Sequence, residues 1–264
     1  MIDTHAHLSF EAFDEDREAV LDRAWKAGLE AIVLIGAGDD FAGNEKALKL
    51  ANTDERLFAA VGIHPCDAEK WDESWNEKIR NMLRQEKVVA LGETGLDFHW
   101  EVNRKTQMRL FLLHLEWSHE FELPFIIHSR SANNEVWEVL MQEGLPKRKG
   151  VFHCYSGDLD LAKKIYEQGL ALGVGGVISF KNAQELHEIV KQLPLDAFVL
   201  ETDAPYLAPV PYRGKRNESS YVPYIVEKIA ELKNISKEEV VHTTSERAKA
   251  LFHLGGKNEE TLES

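Results

Sequence analysis

The stretch Ile2-Asp3-Thr4-His5-Ala6-His7 decides how the rest of the chain is read. It is a short strand-like run closing on two imidazoles, and because residues i and i+2 of a strand share a face, both rings can reach one ion. The same design recurs. Runs rich in Val, Ile and Leu at 57–64, 88–93, 125–128 and 151–153 end on His64, Glu93, His128 and His153, and Asp203 lies just past a run at 198–201. Two further runs, at 31–35 and 170–174, bring the total to about eight. Amphipathic stretches near 15–27, 41–52, 73–85, 103–121, 133–142, 158–168, 182–192 and 220–233 separate them. Alternation of this kind predicts βα units around a parallel sheet. Eight units in 264 residues fit a single-domain TIM (β/α)8 barrel over 1–254, with a polar tail at 255–264. A further helix from Lys237 to Phe252, opened by a capping box of Ser236 and Glu239, is expected to pack outside the barrel.

The barrel reading puts His5, His7, His64, Glu93, His128, His153 and Asp203 at the C-terminal ends of strands, the face that carries chemistry in such folds. An isolated His-x-His is a weak metal signal, but matching residues on five other strands make it a strong one. Glu93 can lend one oxygen to each of two cations, or cap the helix that follows. Asp203 can touch a metal and accept a proton from bound water, or serve a turn. His64 can meet a leaving-group oxygen, an additional ion, or only the Pro65 turn. Imidazole and carboxylate together suit Zn²⁺, Mn²⁺ or Fe²⁺ more than Ca²⁺. Cys154, next to His153 in a strand, is expected to face away from the site as a small buried hydrophobe. His114 and His119 are five apart on a helix, too far around it to share an ion, and read as structural.

Composition narrows the field. The two cysteines, Cys66 and Cys154, exclude a thiolate zinc site of the CxxC kind and a disulfide scaffold. No run reaches the ~20 apolar residues of a membrane span, and the N-terminus lacks a secretory signal, so a cytoplasmic location is expected. A net charge of −14 argues against nonspecific coating of DNA. Bound cations can still make a mouth locally positive.

The segments Asp3-Thr-His-Ala-His7, Gly62-Ile-His-Pro65, Gly92-Glu-Thr-Gly-Leu-Asp97, His128-Ser-Arg130, His153-Cys-Tyr-Ser-Gly157, Glu201-Thr-Asp-Ala-Pro205 and Arg213-Gly-Lys-Arg-Asn-Glu218, taken in order, resemble the signature of TatD-like deoxyribonucleases of the metal-dependent hydrolase superfamily. The resemblance spans roughly residues 1–252. It implies a TIM barrel holding two or three divalent ions, Mg, Mn or Zn, with His5, His7, Glu93 and Asp203 around one and Glu93, His128 and His153 around another. It also implies cleavage of DNA phosphodiesters, often from 3′ to 5′ at single-stranded ends. Asp203, Glu93 and His64 are the expected catalytic residues. Two carboxylates and four neutral imidazoles around two such ions leave about +2, enough to attract a phosphate. Ser131, Ser219 and Tyr155 stand where the family often has an acidic residue, a proline and a phenylalanine, which bears on substrate choice more than on metal binding.

Arg130, Arg213, Lys215 and Arg216 are candidate substrate-phosphate contacts; the bland readings are an ion pair for Arg130 and a solvated basic loop for the others. One rival function is an amidohydrolase acting on a small amide or ester with the same ligands. The lack of a lysine at the Glu93 position disfavours its carbamylated-lysine variants. Another rival is a noncatalytic metal-dependent binding protein, whose mark would be missing ligands. DNA is the expected partner, with no membrane and no obligate protein partner.

Overall fold

Eight parallel strands form one sheet in the order of the chain: β1 (Ile2–Ala6), β2 (Ala31–Ile35), β3 (Leu57–Val61), β4 (Val88–Asp97), β5 (Phe125–Arg130), β6 (Gly150–Phe152), β7 (Ala171–Val174) and β8 (Phe198–Leu200). These come from a computed structural model that describes residues 1–38 and 40–254; the polar tail expected at 255–264 lies outside the described residues. Helices α1 (Arg17–Lys26), α2 (Asp40–Ala51), α3 (Ser74–Leu83), α4 (Arg104–Phe121), α5 (Asn133–Glu143), α6 (Leu159–Glu167), α7 (Gln184–Gln192) and α8 (Val222–Lys233) follow the strands in turn, and α9 (Lys237–Phe252) ends the described chain. The architecture is a single-domain TIM barrel, as the alternation predicts.

Strand parity sorts the core into two layers. Ile32 and Leu34 of β2, Phe125 and Ile127 of β5 and Leu172 and Val174 of β7 join the helices' apolar faces. Their alternates Val33, Ile35, Ile126, Val151, Ala171 and Val199 fill the barrel interior. That interior cluster also contains Ala248, Leu251 and Phe252 of α9, so this helix does more than pack outside: its last turn closes the floor where the strands begin. An apolar face looks the same in sequence whether it covers a barrel wall or its end. Burying Phe252 contributes about 1.5–3 kcal/mol to that closure. Ser236 caps α9 by accepting the Glu239 N–H at 3.1 Å.

The seam between β1 and β8 is closed by residues past the end of β8. Asp203 N–H donates to His5 O at 2.9 Å, and His7 N–H to Ala204 O at 2.8 Å. The buried Asp3 carboxylate accepts from Thr202 N–H (3.0 Å) and Thr202 Oγ1–H (2.7 Å). Burial lifts the Asp3 carboxyl to about 6 against the pull of these hydrogen bonds. Candidate ligands on the first and last strands are thereby tied together by the backbone that closes the barrel.

Candidate metal centre

β4 does not stop at Glu93, where the sequence suggests a turn, but runs on to Asp97. Pairing passes from Gly92↔Ile126 directly to Thr94↔Ile127, leaving Glu93 as the unpaired residue of a bulge. The bulge aims the buried Glu93 carboxylate into the mouth, where its two oxygens face different partners. Oε2 lies 3.4 Å from His5 Nε2 and 3.9 Å from His7 Nε2. Oε1 lies 2.7 Å from His128 Nδ1, 3.6 Å from His64 Nε2 and 3.7 Å from His153 Nε2. Asp203 Oδ1 completes the first group, 3.5 Å from His7 Nε2 and 3.8 Å from His5 Nε2.

These distances bear on whether ions fit. Ligand atoms at about 2.0–2.2 Å from one cation stand about 3.0–3.5 Å from each other. Nε2 of His5 and of His7 are 3.3 Å apart, and Nε2 of His64 is 3.2 Å from Nδ1 of His128. His5, His7 and Asp203 form one close group and His64, Glu93 and His128 another, each needing shifts of only a few tenths of an ångström around a cation, whereas His153 falls with His5 and Glu93 rather than with His128 as expected. The donor set, imidazoles with a shared carboxylate, suits a divalent ion.

The electrostatics of the cluster, taken without metal, show protons held where cations would compete. Burial by itself would raise Glu93, but the charges of His64, His5 and His153 outweigh it and hold its carboxyl well below the usual range. Burial likewise opposes charge on His128, yet hydrogen bonds to Asp97 and Glu93 lift it to about 9. His153 rises to about 10 against burial because Glu201 and Glu93 lie beside it. His5, fully buried and stacked on His153 at 3.5 Å between ring centroids, is lowered by burial first and by His153 second.

Sequence reasoning passed over two carboxylates. Asp97 Oδ2 lies 2.9 Å from His128 Nε2, and Glu201 Oε1 lies 3.1 Å from His153 Nδ1. Reading β4 through to Asp97 would have put Asp97 on the parity of Glu93, and Glu201 shares a face with Asp203. Cys154 also departs from expectation. β6 ends at Phe152, so strand alternation no longer governs Cys154; it adopts φ 44°, donates its N–H to Glu201 Oε1 at 2.6 Å and lines the mouth. His114 is structural as expected: fully buried, it accepts Ile63 N–H at Nε2 (3.0 Å) and faces Leu110 O with Nδ1 (2.7 Å). Tyr155, at the position where phenylalanine is common, uses its hydroxyl to bond Asp158 O at 2.7 Å.

The mouth is a cavity of about 670 Å³ lined by His7, His64, Glu93, His128, His153 and Asp203 among others. Of the four candidate phosphate contacts, Arg130 lines it and pairs with no carboxylate among the described residues; its guanidinium carbon lies over the Trp100 ring, 5.6 Å from the centroid. Arg213, 4.3 Å from the Phe180 ring, and Lys215 are not among the lining residues. Arg216 is turned away from the mouth, held by Asp16 at 2.7 and 2.9 Å and by Ala12 O. Its place in a basic loop did not reveal that Asp16, about 200 residues earlier, would claim it.

The chain matches the family model described as TatD related DNase over residues 2–253. It belongs to the TatD family. Among TatD relatives, YabD of Bacillus subtilis (strain 168), named an uncharacterized metal-dependent hydrolase, is 40% identical over 255 residues, covering 96% of this chain and 99% of that one. The crystal structure of YjjV, a TatD homolog from Escherichia coli K12, superposes with a TM-score of 0.90 at 31% identity, covering 96% of this chain and 98% of that one. A TatD-family hydrolase from Entamoeba histolytica gives 0.83 at 25% identity, covering 96% and 97%. This TatD-family chain is accordingly a metal-dependent hydrolase with candidate His, Glu and Asp clusters for its metal. Among the described residues, no helix is long and apolar enough to cross a membrane.

Proposed function

We propose that the protein is a deoxyribonuclease that hydrolyses phosphodiester bonds at single-stranded DNA ends, in the 3′ to 5′ direction. The observation that carries this reading is the Glu93 carboxylate, which faces two separate groups of ligand atoms with its two oxygens. Paired cation sites of this kind match in-line displacement at a phosphate, where charge grows on the attacking and leaving oxygens together. His5, His7, Glu93 and Asp203 would hold one ion and Glu93, His128 and His153 another; His64, 3.2 Å from His128, is placed to join a third. Bound Mg²⁺, Mn²⁺ or Zn²⁺ would supply a nucleophile ionised at neutral pH and positive charge against the phosphate. Asp203, its side chain 16% exposed, would accept the proton of the attacking water. Arg130 meets a phosphate oxygen at the rim, while Arg213 and Lys215, outside the mouth, are left for more distant phosphates.

The test is a substrate panel run at matched metal occupancy. Single-stranded DNA should be cleaved faster than intact duplex, with activity abolished by chelation and restored by added Mn²⁺ or Mg²⁺. Asp203→Asn should keep the fold and lower kcat, whereas Glu93→Ala should empty both sites. Much faster hydrolysis of a small amide or lactone than of any phosphodiester would replace the nuclease reading with an amidohydrolase one.

A further inference from the structure

Among the described residues, the large apolar side chains left exposed are Trp100, Leu112, Met141, Tyr206, Leu207 and Val210. Two of them are aromatic, Trp100 at 56% exposure and Tyr206 at 54%, and both line the mouth cavity. They belong to different walls. Trp100 follows β4 and neighbours the His128 half of the cluster; Tyr206 follows β8, with its ring 6.3 Å from that of His7.

Neither ring rides on a loose loop. Asp97 Oδ1 accepts the amides of His99 (3.0 Å) and Trp100 (3.4 Å), and the His99 ring meets Trp100 edge-on at 4.9 Å. Tyr206 donates its N–H to Asp203 O at 2.8 Å and accepts Asn217 Nδ2–H at 2.7 Å. The same carboxylate that orients His128 thus sets Trp100, and the backbone of Asp203 sets Tyr206. Leaving flat apolar rings in water is unfavourable, so two of them fixed beside one polar cluster call for a ligand with flat faces on both sides of its reacting centre.

We propose that Trp100 and Tyr206 are base-stacking platforms flanking the scissile phosphate. The bases of the two adjoining nucleotides splay onto the two loops, and Arg130, 5.6 Å from the Trp100 ring centroid, lies beside the phosphate on that side. Every nucleobase offers a π face, so such platforms accept a single strand with little sequence preference. A paired base cannot leave its partner to stack, which selects against duplex. This inference rests on the nuclease reading of the same site.

The experiment measures binding of a short fluorescent single-stranded oligonucleotide with a non-hydrolysable backbone by anisotropy in the presence of Mn²⁺, and KM and kcat on the cleavable strand under the same conditions. Trp100→Ala and Tyr206→Ala should each weaken binding and raise KM about tenfold, with metal content unchanged. Trp100→Phe and Tyr206→Phe should stay within about threefold, because a ring face remains. An oligonucleotide made abasic at one flanking position should lose the same factor with wild-type protein and become indifferent to one of the two alanine changes. Met141→Ala, exposed elsewhere, serves as the control. Wild-type affinity and KM in both alanine variants would overturn the platforms while leaving the nuclease intact. Failure of the wild type to bind or cleave any nucleic acid, alongside hydrolysis of a small ester or amide, would instead overturn the nuclease reading beneath them.

Discussion

Asp97 places Oδ2 2.9 Å from Nε2 of His128, whose other nitrogen lies 2.7 Å from Glu93 Oε1. The imidazole is gripped from both sides, which fixes its orientation and raises its basicity as a ligand. Asp97→Asn keeps the size and most of the hydrogen bonding but removes the charge. Metal affinity should fall about 10- to 100-fold with the fold retained, as read by calorimetric titration of the metal-free protein with Mn²⁺. Unchanged affinity would mean that Asp97 only shapes its loop.

Metal binding should expel protons. In the metal-free protein His128 titrates at about 9 and His153 at about 10, so both carry a proton at pH 7, whereas a bound ion requires neutral rings. Titration in buffers of different ionisation enthalpy should count about two protons released per protein at pH 7, with affinity climbing as pH rises toward 9. The raised values also stabilise the metal-free fold below the unfolded histidine pKa near 6.5, and that contribution disappears as pH rises through 9 and 10. Proton release near zero would contradict the assignment of these rings as ligands.

His114 works in the opposite sense. Burial lowers it to about 4, and its Nε2 must stay unprotonated to accept the Ile63 amide one residue before His64. Its contribution is therefore complete above pH ~6.5 and lost as pH falls toward 4, on the order of 3 kcal/mol in all. Denaturant melts across this range should show the loss, and His114→Gln should flatten the pH dependence while lowering stability at pH 7.

At Gly173 a Cβ would run into the Glu201 carboxylate, which is buried at 1% exposure and has little room to retreat. Gly173→Ala should displace Glu201 from His153 and from the Cys154 amide, costing about 1–3 kcal/mol of stability and weakening metal binding. Thermal melts with and without metal separate the two effects: the variant should gain less from added Mn²⁺ than the wild type does.

Arg130 and Arg216 should behave differently despite equal charge. Arg130→Ala should raise KM for single-stranded DNA and flatten its salt dependence. Arg216→Ala breaks a partly exposed pair with Asp16 and should cost no more than about 1 kcal/mol in stability, with KM unmoved. Kinetics at two salt concentrations decide between them.

The order of the strands, their number and the metal-capable residues at their ends were legible from local sequence, because a short unbroken apolar run reports a strand buried on both faces wherever it lies. Placing His5, His7, His128, His153 and Asp203 at one mouth required only that the βα units close into a barrel. The tertiary structure alone decided what depended on pairing register and distant partners. Glu93 sits in a bulge because β5 skips it, a fact about the neighbouring strand. Cys154 turns into the mouth because β6 stops one residue before His153, and Arg216 leaves the substrate side because Asp16 reaches it across the barrel seam. The apolar face of α9 announced burial but not where, since the barrel floor exists only once all eight strands are assembled.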